Sequence, residues 1–178
     1  MHLPDCGQGQ TLIGVSIAIP EPWASFLVDA RRSFGDAQAD SVPPHVTIVG
    51  PTVVDNCAVD SVIEHLESVA GAADPFQIIL RGTGTFRPTS PVVFINVVQG
   101  IVELERLEQA ARRGPLAQKT RFRYHPHVTV AQDVPEEGLD RAFEELATFQ
   151  IAFEAAEFWL YDHTEEGVWR RNRSFGLG

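Results

Sequence analysis

Two histidines and two threonines recur in the same short motif in the two halves of the chain. Residues 44–48 read Pro-His-Val-Thr-Ile and residues 126–130 read Pro-His-Val-Thr-Val, so His45 and His127 are 82 positions apart in a chain of 178 residues. Histidine takes up and releases protons near neutral pH, and a threonine hydroxyl donates hydrogen bonds to oxyanions. The repeat therefore identifies these side chains as candidates for acid–base chemistry.

Each motif lies in an apolar segment that is typical of a β-strand. Successive side chains of a strand alternate between its faces, so His45 and Thr47 project together while Val46 and Ile48 project to the other side. A buried face does not ordinarily take two successive polar side chains, which leaves either solvent or a polar cleft. One His-x-Thr segment alone fits an ordinary exposed strand, but two matching copies in similar surroundings favour a cleft.

If the two strands face one another, four polar groups converge on a site that suits phosphodiester chemistry. One neutral imidazole, of His45 or His127, would accept a proton from the attacking hydroxyl or water, and the other, protonated, would donate one to the leaving oxygen. Thr47 and Thr129 would donate hydrogen bonds to the phosphate oxygens. The sequence leaves open which histidine is the base, and we expect no metal ion and no cofactor.

At these segments the sequence resembles the 2H phosphoesterase superfamily, and within it the bacterial 2′-5′ RNA ligase and cyclic phosphodiesterase group. The resemblance extends over essentially the whole chain, because these proteins have two lobes that each carry one such signature. It implies a bilobal α+β fold of two pseudo-twofold-related antiparallel sheets that flank a central groove, with helices outside. It also implies that His45 and His127 are the catalytic pair and that Thr47 and Thr129 bind phosphate.

The elements around the two motifs also repeat in kind, as a strand and a helix before each motif and a helix and a strand after it. Gly50 and Pro51 are expected to end the first motif strand. We expect a single domain over residues 1–178, with a first lobe over about 11–85, a second over about 91–161 and a C-terminal strand over 166–178. In the second half, the predicted elements cover residues 92–98, 100–113, 124–132, 136–148 and 149–162.

Charge and composition restrict the substrate. The net charge of −10 argues against a surface that grips duplex DNA through its phosphates. Basic residues cluster over 113–123, and Arg123 would share the face of His127 if the strand begins that early, which makes it a candidate phosphate ligand. A solvated basic loop explains this cluster equally well. Residues 130–133 lack the basic residue that often follows the second signature in RNA-processing relatives, which favours a smaller cyclic nucleotide or nucleotide-sugar phosphate.

The sequence thus predicts a metal-independent phosphoesterase that acts on 2′,3′-cyclic or 2′-5′ phosphodiesters of nucleotides or RNA ends. A noncatalytic nucleotide- or RNA-binding module on the same fold is the alternative. A metal-dependent hydrolase built on His125 and His127 is a third interpretation, without a carboxylate cluster at ligand spacing to support it. No leader pattern and no apolar run of about 18 residues occurs, and Cys6 and Cys57 form no metal or disulfide pattern. We therefore expect a cytoplasmic monomer.

Overall fold

The computed structural model describes residues 3–118, 122–164 and 166–178, which fold into eight strands and four α-helices. Within these ranges no helix is long and apolar enough to cross a membrane. The strands are β1 (Gln10–Ala18), β2 (His45–Asp55), β3 (Phe76–Thr85), β4 (Val92–Gln99), β5 (His127–Gln132), β6 (Gln150–Ala155), β7 (Glu157–His163) and β8 (Trp169–Gly176). The helices are α1 (Trp23–Ser33), α2 (Val59–Ala70), α3 (Ile101–Ala111) and α4 (Glu136–Glu145).

The strands form two four-stranded antiparallel sheets. The first sheet has the order β2-β1-β7-β8 and the second has the order β5-β4-β3-β6. Both motif strands, β2 and β5, are therefore edge strands, and they contact each other where the two sheets meet. The predicted α+β fold with two related antiparallel sheets is confirmed.

The expected lobes over 11–85 and 91–161 do not correspond to the two sheets, because each sheet contains strands from both ranges. Strand β3 belongs to the second sheet, between β4 and β6, and β7 belongs to the first sheet, beside β1. The single strand expected over 149–162 is two strands, because the chain leaves the second sheet after Ala155 and enters the first at Glu157. The first half of the sequence thus places its last strand, and the second half its last two strands, in the sheet of the other half, which ties the two sheets together.

Several element boundaries differ from those expected, and two of the differences involve proline. Strand β2 continues through Pro51 to Asp55, because a proline is tolerated on an edge strand, where its missing N–H leaves no neighbour unpaired. Strand β5 begins at His127 and not at 124, since Pro126 has no N–H to donate to a neighbouring strand. The last helix ends at Glu145 and not at 148.

One continuous hydrophobic core underlies both sheets. It includes the aliphatic side chains that alternate with the motif residues, and side chains from all four helices. The apolar faces of both sheets are therefore covered by the helices. The opposite faces, which carry the histidines and threonines, remain available to line the central groove. The core residues beside the motifs are Val46, Ile48, Val128 and Val130, each no more than 1% exposed.

Candidate active site

The two motifs occupy equivalent positions in the two sheets. His45 and Thr47 are partly exposed, whereas the valine between them is fully buried. His127 and Thr129 show the same pattern on β5. The structure therefore places all four predicted site residues on the groove-facing sides of two adjacent edge strands.

A β-bulge follows each threonine at the same point of the motif. Thr47 lies opposite Ser16, and the next paired residue of β2 is Val49, so Ile48 is the extra residue. Val130 is the extra residue at the equivalent place on β5. A bulge interrupts the strict alternation of side chains, and two successive residues after each threonine are buried as a result. The bulge thus limits the polar part of each motif to one histidine and one threonine.

Each histidine ring is oriented by the carbonyl group two residues before it. Nδ1 of His45 lies 2.7 Å from the carbonyl oxygen of Pro43, and Nδ1 of His127 lies 2.7 Å from that of His125. A carbonyl oxygen only accepts, so Nδ1 of each ring carries the hydrogen and donates it. Both neutral imidazoles therefore have the same tautomer, with Nε2 free to accept a proton or, once protonated, to donate it.

Burial lowers the pKa of both histidines below the usual value of 6.5. Desolvation is the main cause at each ring, and the positive charge of Arg31 lowers the pKa of His45 further. For His127, the charges of His125 and His45 add to the effect of desolvation. The two motif histidines therefore lie within range of each other's charge, and the state in which both are protonated is disfavoured without a bound anion.

His127 also lies in a cluster of aromatic rings. The rings of Phe86 and Phe94 have their centroids 5.1 and 5.0 Å from that of His127, and 4.4 Å from each other. Phe86 lies in the segment between β3 and β4, which connects the two halves of the chain. In the part of the chain that the structure describes, no ring packs in this way against His45. The two motifs are thus alike in polar geometry but different in their apolar surroundings.

Tyr124 links the segment before β5 to β2. Its hydroxyl donates a hydrogen bond to the carbonyl oxygen of Thr47, with an O–O distance of 2.7 Å. Its ring packs against the hydrophobic core, and burial raises the pKa of this hydroxyl far above its usual value. Tyr124 therefore stays protonated and holds the two motif strands together.

Arg123 is the predicted site residue whose position differs most from the expected one. It is exposed and lies in the irregular segment before β5, so strand alternation does not place it beside His127. Lys119 and Arg121, the other basic residues of this segment closest to Arg123, lie outside the described residues. A contact between Arg123 and phosphate therefore stays a prediction.

A buried arginine that the sequence did not single out holds the loop before the first motif. Arg31 is only 5% exposed, and its Nε lies 2.8 Å from a carboxylate oxygen of Asp36. Its guanidinium also donates to the carbonyl oxygens of Gln38 and Val42. The same loop then supplies the carbonyl group that orients His45. No sequence signal marked Arg31, because an arginine near the end of an amphipathic helix is usually exposed.

The chain was compared with protein families and with curated proteins. Residues 19–167 match the family model of the 2′-5′ RNA ligase superfamily. A protein of Geobacillus sp. strain WCH70, named provisionally as a phosphoesterase, is 27% identical over 154 residues, which cover 85% of this chain and 88% of that protein. A protein of Geobacillus kaustophilus strain HTA426 with the same provisional name is 27% identical over 167 residues, covering 93% and 95%.

Solved structures with similar folds were also found. E. coli LigT complexed with NADP+ has a TM-score of 0.69 at 19% sequence identity, covering 96% of this chain and 99% of LigT. A protein of Thermus thermophilus has a TM-score of 0.59 at 20% identity, covering 93% and 97%. At these identities the likeness shows a common fold, while the family match covers most of the sequence. The chain therefore belongs to the 2′-5′ RNA ligase superfamily of 2H phosphoesterases.

Proposed function

We propose that this protein is a phosphoesterase that opens or forms 2′,3′-cyclic or 2′-5′ phosphodiesters of nucleotides or RNA ends. His45 and His127 act as the acid–base pair, and Thr47 and Thr129 bind the phosphate. The observation that carries the proposal is the matched orientation of the two imidazoles, each of which donates from Nδ1 to a carbonyl and presents Nε2. A site that only binds a phosphate does not need two imidazoles held in the same tautomer. A site that removes one proton and donates another needs an available Nε2 atom on each ring.

In the hydrolysis of a 2′,3′-cyclic phosphate, the two histidines have opposite tasks. The neutral imidazole takes a proton from water through Nε2 as the water oxygen attacks phosphorus. The protonated imidazole donates its Nε2 proton to the ribose oxygen as the bond from that oxygen to phosphorus breaks. The threonine hydroxyls donate to the non-bridging oxygens, on which negative charge builds. In ligation, a 5′-hydroxyl takes the place of the water: one imidazole removes its proton as it attacks phosphorus, and the other protonates the ribose oxygen whose bond to phosphorus breaks. Cleavage of the 2′-5′ diester back to the cyclic phosphate is the reverse of this step, with the tasks of the two histidines exchanged.

A nucleotide suits the site better than a long nucleic acid. The chain carries a net charge of −10, and Arg87, which follows Phe86, is already paired with Glu136 and Asp140 of α4. E. coli LigT, which has the same fold, has been crystallised with 3′-AMP and with ATP. These complexes support a nucleotide or the end of an RNA chain as the ligand.

The proposal is tested by assaying the purified protein on 2′,3′-cyclic nucleotides, 2′-5′-linked dinucleotides and ADP-ribose cyclic phosphate, with and without EDTA. We expect turnover of at least one substrate class, and we expect EDTA to leave the rate unchanged. Within the described residues no group of three or more His, Cys, Asp or Glu side chains is arranged to hold a metal ion. Products are identified by chromatography, and a variant with both motif histidines replaced serves as the control.

Two results would contradict this proposal. Turnover that is lost in EDTA and restored by one divalent ion would exclude the metal-independent mechanism. Binding of nucleotides without turnover of any substrate would instead favour a noncatalytic nucleotide-binding module on the same fold.

Replacing either threonine is expected to slow turnover without unfolding the protein. If the hydroxyls stabilise charge as oxyanion-hole donors do, Thr47→Ala and Thr129→Ala each weaken transition-state binding by roughly 2.7–4 kcal/mol. Both side chains are partly exposed, so their loss leaves little cavity in the core. The measurement is kcat/KM, with Thr47→Ser and Thr129→Ser as variants that keep the hydroxyl. Unchanged kcat/KM in both alanine variants would remove the threonines from the site.

A further inference from the structure

A row of side chains extends from the first motif across the groove face of the first sheet. Thr47 lies opposite Ser16 on β1, and Ser16 lies opposite Trp159 on β7. Residues directly opposite each other in antiparallel strands project from the same face. Neighbouring strands are about 4.8 Å apart, so the backbone at Trp159 lies about 10 Å from that at Thr47. Trp159 is therefore on the groove face, two strands away from the candidate phosphate site.

Two further side chains join Trp159 on this face. The guanidinium carbon of Arg171, on β8, lies 4.7 Å from the centre of the Trp159 ring. The described part of the chain offers Arg171 no carboxylate partner. The indole of Trp169 covers Gly14, since a Cβ atom at Gly14 would lie 3.2 Å from it. Gly14 alternates with core residues of β1, so a Cβ atom at Gly14 would point toward the groove. The indole of Trp169 therefore lies on the groove face.

A buried hydroxyl lies beside these rings. Tyr161 is opposite Gly14 on β7 and is 5% exposed, but it is not part of the core beneath the helices. Its hydroxyl group has no hydrogen-bond partner among the described residues. A buried polar group without a partner destabilises a protein, and a polar group of a ligand can remove that cost.

The second sheet offers no such surface at the equivalent place. The corresponding row runs from Thr129 to Phe94 and then to Gly84. The ring of Phe94 lies so close over Gly84 that a Cβ atom there would be 2.6 Å from it. Where the first sheet has a small serine followed by a partly exposed indole, the second sheet has a phenylalanine whose ring covers a glycine. The pseudo-symmetry of the site is broken here, because the aromatic rings of the second sheet pack against His127, whereas those of the first sheet lie at least two strands away from its motif.

We propose that Trp159, Trp169, Tyr161 and Arg171 form a base-binding subsite that takes the nucleobase of the substrate. The inference rests on the proposed function, because it assumes that the phosphate of the substrate binds between the two motifs. The base of the same nucleotide then lies on the first sheet. Aromatic rings stack on any nucleobase, and the exposed guanidinium of Arg171 adds a cation–π contact. The hydroxyl of Tyr161 and the guanidinium of Arg171 supply hydrogen bonds for the polar edge of the base.

The subsite is tested first by binding, without any requirement for turnover. Tryptophan fluorescence is titrated with 3′-AMP in the wild type, in Trp159→Leu and in Trp169→Leu. Stacking of adenine on an indole is expected to quench the fluorescence, and loss of that indole is expected to weaken binding roughly tenfold. Trp23→Phe is the matched control, because Trp23 lies on α1 and packs against Phe149, away from this row.

A second arm uses turnover, with a nucleoside 2′,3′-cyclic phosphate and 1-O-methylribose 2′,3′-cyclic phosphate, which has no base. Each Trp→Leu variant is expected to raise KM for the nucleotide roughly tenfold and to leave kinetics on the base-free substrate unchanged. Unchanged 3′-AMP affinity in both variants, with the fold intact by circular dichroism, would overturn the subsite. Quenching that depends on Trp159 or Trp169, without turnover of any phosphodiester, would support the subsite and contradict only the proposed activity.

Discussion

Replacement of either motif histidine by alanine is expected to lower kcat/KM by roughly 10² to 10⁴-fold on whichever phosphodiester the wild type cleaves. Each ring is held for proton transfer by its own carbonyl group, and neither ring can perform both transfers in one turnover. Both side chains are partly exposed on edge strands, so the fold should survive. Initial rates are measured for His45→Ala and His127→Ala, with circular dichroism to verify folding.

His65→Ala is a matched control for the loss of an imidazole. His65 is also partly buried and hydrogen-bonded to a backbone carbonyl, that of Ala111, but it lies on α2 behind the sheets. We expect its kcat/KM to equal that of the wild type. Near-wild-type activity of a folded His45→Ala or His127→Ala variant would exclude the two-histidine mechanism.

The pH dependence of kcat/KM for the same reaction tests the roles of the two histidines as base and acid. Desolvation lowers the pKa of both rings below 6.5, so each imidazole in the free enzyme is neutral at pH 7. The base is active above its pKa and the acid is active below its own, so kcat/KM should follow a bell with its maximum below about pH 6.5. Bound phosphate favours the protonated ring, and the alkaline limb of kcat should lie at higher pH than that of kcat/KM. A maximum of kcat/KM above pH 7 would contradict this assignment.

The local part of the site follows directly from the sequence. His45 and Thr47 alternate with buried aliphatic residues, and the same alternation recurs at His127. It reflects the two-residue period of side chains along a strand, which can be read from adjacent residues. The two strands could be predicted to face each other because the motif occurs twice. The orienting carbonyl groups could not, because their positions depend on the backbone path through the prolines before each histidine.

The base-binding subsite could not be predicted, because it depends on pairing between distant strands. Trp159 reads as an ordinary aromatic residue of a strand, and the segment around it was expected to be one strand with residues 149–155. It comes to lie on the same sheet face as the first motif only because the chain changes sheets after Ala155 and β7 pairs with β1. Pairing of this kind is decided by long-range packing and leaves no local pattern.

The burial of Arg31 also could not be predicted from the sequence. Its replacement is the second change that is expected to have a large effect, in this case on stability. Replacing Arg31 by methionine is expected to lower the free energy of unfolding by about 3–5 kcal/mol, because Asp36 is left charged and buried without its partner. The loop carbonyls of Gln38 and Val42 also lose their donor. The change is measured by urea denaturation, with the slope of the transition used to verify that the unfolded state is unaffected.

Arg32 on the same helix provides the matched control. It is paired with Asp29 and Asp40, but all three side chains are at least half exposed, so Arg32→Met should change stability little. The double variant Arg31→Met/Asp36→Leu should recover part of the loss, because it removes both buried charges together. Below its denaturation midpoint, folded Arg31→Met should also have a lower kcat, since the loop that orients His45 is no longer held. Equal losses of stability in Arg31→Met and Arg32→Met would show that the burial of the Arg31 pair has no energetic consequence.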